Sequence, residues 1–174
     1  MMKVRGLTRL LTLHLNQTYM IDKSIVEKLA EEWLQGKEYF LVDVTVSPDD
    51  RIVVEIDHAE GVWIEDCVEL SQFIEGRLSR EEEDYELEVG SAGLGQPFKV
   101  LQQYVNHIGH EVETLTNAGR KLHGVLSAAD ADHFELTVRV KKKAEGEKRP
   151  KWVDETVPLH YDEVKYTKYL ISFK

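Results

Sequence analysis

The stretch "YELEVGSAGLGQPF", residues 85–98, decides how the rest of the chain divides. Tyr85, Leu87 and Val89 alternate with Glu86 and Glu88, the pattern of a strand covered on one face. The alternation then breaks. Gly90, Gly93, Gly95 and Pro97 follow within eight residues, and residues 89–98 carry no charge. Glycine allows backbone angles that a Cβ forbids, and proline cannot donate to a sheet. A strand ending in such a run is leaving one folded unit for another. The expected division is an α/β unit over 20–92, a junction over 93–103 and a second unit over 104–174.

Charge changes character at the same place. Residues 20–98 hold 21 acidic against 6 basic side chains, whereas residues 99–174 hold 11 against 13. The first segment thus carries −15 against a net charge of −10 for the whole chain, which the rest partly offsets, and by itself is a poor partner for nucleic acid. The 174 residues are 42% hydrophobic and 31% charged, which is globular rather than disordered composition. No apolar run approaches the roughly 20 residues of a membrane helix. A single cysteine, Cys67, cannot form an internal disulfide, which fits a reducing, cytoplasmic setting. Residues 1–19 carry three bases and no acid, without the small-residue cleavage pattern of a secretory signal. They read as a basic extension, either disordered or upstream of a start at Met20.

Before the decisive stretch the periodicity is clear. Ile25, Val26, Leu29, Ala30, Trp33 and Leu34 recur at helical spacing, with Ser24 and Glu27 as a capping box and Gly36 as the stop. "YFLVDVTV" (39–46) and "RIVVEID" (51–57) alternate like strands around the turn "SPDD". A second helix is expected from Ile64, Cys67, Val68, Ser71, Ile74 and Leu78. The order α-β-β-α-β places two helices on one face of a three-stranded sheet. After Pro97 come one short helix and five short strands, "EVETLT", "KLHGVLSA", "HFELTVRV", "WVDETVPL" and "VKYTKYLISF". Their turns predict a small closed barrel. The fold class is therefore α+β.

Chemistry-bearing clusters are few. Cys67 lies on an apolar stripe, where an inert thiol is expected rather than a nucleophile. His107, His110 and Glu111 lack the i, i+4 spacing of a helical zinc pair. Asp57, Glu60, Glu65 and Asp66 lack the ordered spacing of a calcium loop and read as solvated carboxylates. The glycines at 90–95 have no Gly-Lys-Ser/Thr ending. No metal, cofactor or catalytic residue is expected. One feature points outward. "RVKKKAEGEKRPK", residues 139–151, holds seven bases and two acids and should form an exposed hairpin tip. Arg139, Lys141, Lys142, Lys143, Lys148, Arg149 and Lys151 are the candidate RNA contacts.

Two motifs together resemble those of the RimP-type ribosome maturation factors. "VEIDHAEGVWIEDC" is similar to that family's I-D-x-x-x-G-V-T-[LI]-[DE]-D-C, with Asp57, Gly61, Asp66 and Cys67 in place. "ELEVGSAGLGQPF" is similar to its E-V-S-S-P-G-L-D-R-P-L, matched at Ser91, Gly93, Leu94 and Pro97, with Gly90 just before. The resemblance covers about residues 20–174. It implies an α/β domain followed by an SH3-like barrel, and a monomeric factor with no enzymatic activity. It also implies partners: the assembling small ribosomal subunit, through rRNA and a basic ribosomal protein near the decoding centre. Three departures stand out. Ala92 replaces a proline, Gly95-Gln96 replaces Asp-Arg, and Trp63 replaces a helix-capping threonine. The residues alone leave two rivals: an Sm-like RNA-binding module not tied to the ribosome, and a metal-dependent hydrolase using the acids near Asp57.

Overall fold

The computed structural model describes residues 21–78 and 84–171. The basic extension 1–19 and most of the acidic run after Leu78 lie outside the described residues. The first unit consists of α1 (Lys23–Leu34), β1 (Phe40–Val46), β2 (Arg51–Asp57), α2 (Ile64–Glu75) and β3 (Glu86–Ser91). Strand β2 is central, antiparallel to β1 and parallel to β3. A parallel neighbour requires a crossover, and α2 supplies it. Val44, Ile52, Val54 and Ile56 pack against Val26, Ala30, Trp33 and Leu34 of α1 and Leu70 and Ile74 of α2. Both helices thus share one sheet face, as the alternation predicts.

Two helix details differ from expectation. The cap of α1 is Asp22, whose carboxylate accepts the Ser24 N–H at 2.8 Å, so Ser24 sits inside the helix rather than at its cap. In α2, Ile64 and Val68 are 79% and 49% exposed, while Leu70 and Ile74 are buried. The helix is rotated so that the Leu70/Ile74 stripe faces the sheet. As expected, Trp63 supplies no side-chain cap to α2.

The second unit holds α3 (Leu101–Asn106), β4 (Glu111–Thr116), β5 (Lys121–Ala129), β6 (His133–Lys142), β7 (Lys151–His160), a 3-10 turn (Tyr161–Glu163) and β8 (Val164–Tyr169). The strands form an SH3-like barrel sheet in the order β7-β6-β5-β4-β8, all neighbours antiparallel. The expected closure is partial. Among the described residues no ladder joins β7 to β8, so both remain edges. A separate core forms around Val112, Leu126, Phe134 and Leu136. Phe98 packs against it too, its ring 5.0 Å from Tyr104.

The chain passes between the units through backbone that glycine makes available. Gly93 and Gly95 have φ of +80° and +76°, whereas Gly90 lies within β3 and needs no special angle. Ala92, where the family motif has proline, makes a backbone bond. Its N–H donates to the Ile56 carbonyl at 3.1 Å, a bond that proline could not make. Pro97 then meets Lys168 on the β8 edge, and the Phe98 N–H donates to the Thr167 carbonyl at 2.8 Å. An edge is where a sheet tolerates proline.

Candidate functional site

The two family-like motifs converge. Asp57 ends β2 and holds the His58 N–H at 2.8 Å; Gly61 turns the chain at φ +99°. Together with Ser91, Gly93 and Leu94 these residues line one wall of a cleft of about 400 Å³. Its other wall is Asn106, His107, His110 and Tyr169 of the second unit. His107 is more than a bare loop residue: its ring lies 4.7 Å from Phe98 and 5.1 Å from Tyr169. Leu94 is 75% exposed at the rim. Asp66 and Cys67 belong to α2 rather than to the cleft. Asp66 accepts the Tyr39 hydroxyl, and burial pushes the Cys67 thiol above its ordinary value, away from the reactive thiolate. Among the described residues no three His, Cys, Asp or Glu side chains converge as a metal site.

Sequence reading missed Lys99, the first charge after the uncharged stretch 89–98. Its ammonium contacts Glu55 at 2.7 Å and Asp43 at 3.0 Å, on the sheet face opposite the helices. Those two carboxylates hold the Lys99 pKa above its usual value. Lys99 thus clamps the junction onto the sheet of the first unit.

Glu113 was also missed, because its role depends on strand register. It pairs with His123 of β5 and Lys168 of β8 and is largely buried. The Tyr166 hydroxyl donates to it at 2.8 Å, His123 lies at 2.8 Å, and Lys121 and Lys168 at 3.6 Å. These contacts, Tyr166 first, pull its pKa from 4.5 to about 2. The stabilisation from a depressed carboxylate is complete above the unfolded value and vanishes as pH falls through the folded one. Between about pH 5 and pH 2 the wild type should therefore lose melting temperature more steeply than Glu113→Gln. At neutral pH the variant should be less stable by about 1–2 kcal/mol, since its charged hydrogen bonds are gone. Parallel curves of melting temperature against pH would contradict this role.

The basic candidates lie at the other edge of the barrel. The junction meets β8, whereas the basic run belongs to β6 and β7. The run is not a thirteen-residue loop. The ladder extends through Arg139↔Asp154, Val140↔Val153, Lys141↔Trp152 and Lys142↔Lys151, leaving residues 143–150 as the tip. Arg139 and Lys142 bond Asp154 and Glu155 at 3.1 Å each, and Lys151 bonds Glu147 at 2.5 Å. Among the described residues, Lys141, Lys143, Lys148 and Arg149 have no carboxylate at ion-pair distance. Trp152, which directly follows the basic run, was the signal that sequence reading passed over.

Comparison with known proteins bears on both motifs. The model of the RimP N-terminal domain matches residues 29–95. A protein of Porphyromonas gingivalis named ribosome maturation factor RimP is 43% identical over 132 residues, covering 76% of this chain and 87% of that one. The chain belongs to the RimP family. Another relative with that name, from Christiangramia forsetii, is 33% identical over 152 residues, 87% of this chain and 99% of its own. One from Flavobacterium psychrophilum is 34% identical over 116 residues, 65% of this chain and 74% of its own. The matched region of the N-terminal RimP model contains β2, α2, β3 and the glycines of the junction, so this wall of the cleft is built from family sequence.

Proposed function

We propose that the chain is a cytoplasmic ribosome maturation factor that binds the assembling small ribosomal subunit as a monomer, without enzymatic activity or cofactor. The relationship to RimP proteins over most of their length carries this reading. The two units are two domains with separate tasks, joined at residues 93–103. The acidic domain takes a basic ribosomal protein near the decoding centre, and the barrel with its basic hairpin takes rRNA.

The surface of α2 supports the first task. Trp63 (66% exposed), Ile64 and Val68 form apolar exposure beside Glu65 and Glu69. Apolar anchors ringed by carboxylates suit a partner rich in Lys and Arg. The full chain should bind a purified basic small-subunit protein, with affinity falling as salt rises from about 50 to 300 mM because the Debye length shortens. Trp63→Ala with Val68→Ser should weaken binding roughly tenfold or more, in line with loss of buried anchors. Salt-independent binding, or an unchanged double variant, would rule out this role for the acidic domain.

A further inference from the structure

The β6–β7 hairpin carries a tryptophan that neither core uses. Directly opposed residues in an antiparallel pair share a face. Lys141 opposes Trp152, and Arg139 opposes Asp154. Phe134, Leu136 and Val138 point into the barrel, so by strand alternation Arg139 and Lys141 stand on the outer face. Trp152 stands there with them, 60% exposed, and the Lys141 ammonium lies 4.9 Å from its ring centroid. A single exposed aromatic is ordinary on a protein surface. Its surroundings are not ordinary. Lys141, Lys143, Lys148 and Arg149 are the cations of the hairpin left without carboxylate partners among the described residues, in a chain of net charge −10.

An exposed indole amid uncompensated cations is the composition that single-stranded nucleic acid requires. Bases stack on the ring while cations follow the phosphates, and Trp gives the largest stacking area. A duplex keeps its bases stacked on each other and offers phosphates but no free base. We propose that Trp152 is a stacking platform for an unpaired nucleobase of RNA, with Lys141, Lys143, Lys148 and Arg149 on the adjoining phosphates. This rests on the barrel facing rRNA and adds the kind of RNA recognised: an unpaired segment rather than a helix.

The test uses the full chain and a fluorescently labelled single-stranded RNA of about 12 nucleotides, a length within the span of one small barrel. Trp152→Ala should weaken binding roughly tenfold, the loss of one base stack. Its salt slope should match the wild type, because no cation is removed. Trp152→Phe should retain most of the affinity. A duplex of the same length should bind wild type and alanine variant alike. Melting temperatures should coincide, since the indole is outside both cores.

Several results would overturn the proposal: no binding of the single strand by wild type, an alanine variant that binds it as well as wild type, or an equal loss on the duplex. Binding to small-subunit particles is measured in parallel. If particles fail to bind while the oligonucleotide pattern holds, the ribosomal reading falls and the stacking site stands. If particles bind and the alanine variant is silent on the oligonucleotide, the stacking site falls alone.

Discussion

Alanine at Gly124 is expected to cost about 3 kcal/mol of stability, the upper part of the range for forcing atoms into packed structure. A Cβ there would sit 2.7 Å from the Thr137 carbonyl oxygen and 2.9 Å from Val138 Cγ1. The carbonyl cannot step aside cheaply, because Thr137 is paired with Val125 on one side and Thr156 on the other. A glycine inside a strand marks close approach of another backbone, here where β5 curls against β6. Gly119 provides the contrast. It has φ +84°, and a Cβ there would meet nothing within 4 Å, so alanine strains only the backbone, at about 1–2 kcal/mol. Denaturant unfolding should show a clearly lower midpoint for Gly124→Ala than for Gly119→Ala, with similar slopes. A Gly124→Ala midpoint equal to wild type would mean that the strands do not approach as described.

Much of the fold was legible because local patterns agreed with each other. Strand β2 runs over Arg51–Asp57, the span of its alternation, and β1 begins one residue later than its run. The glycines of "SAGLGQP" take the positive φ that their spacing requires. The phase of α2 was not legible. Its sequence offers two overlapping apolar stripes, Ile64/Val68 and Leu70/Ile74, and only docking on the sheet selects between them. The length of the basic loop was misread for a related reason. Lys141, Lys142 and Lys151 look like solvated loop, but a hairpin whose outer strand is the sheet edge carries charged side chains on its open face, so the β6–β7 ladder continues through them.

The site was half visible. Asp57, Gly61, Ser91 and Gly93 could be grouped from motifs, and the structure places them around one cleft. Lys99 and Glu113 could not be found, because Glu55 and Tyr166, which bond them, lie 44 and 53 residues away in sequence. Cross-strand register determines such clusters, and it is not written in any local stretch.

Removing the uncompensated charge of the hairpin should have a large effect on binding and little on stability. Lys141, Lys143, Lys148 and Arg149 stand outside the barrel core, so changing all four to Gln should leave the melting temperature close to wild type. Every cation withdrawn from a phosphate flattens the dependence of log affinity on log salt by about one unit. The quadruple variant should therefore bind small-subunit particles at least roughly tenfold more weakly, with a slope reduced by about three to four units if all four cations meet phosphate. Lys142 and Lys151 provide the control. They are engaged by Glu155 and Glu147, so Lys142→Gln with Lys151→Gln should change slope and affinity far less.

Co-sedimentation of the wild-type chain with immature and mature small subunits, at matched particle concentration and salt, is the most direct measurement. The expected result is that the chain pellets with the immature particles, that little follows the mature ones, and that the quadruple variant stays in the supernatant. A chain that remains in the supernatant with both particles, or that pellets equally with both, would contradict its role as an assembly factor.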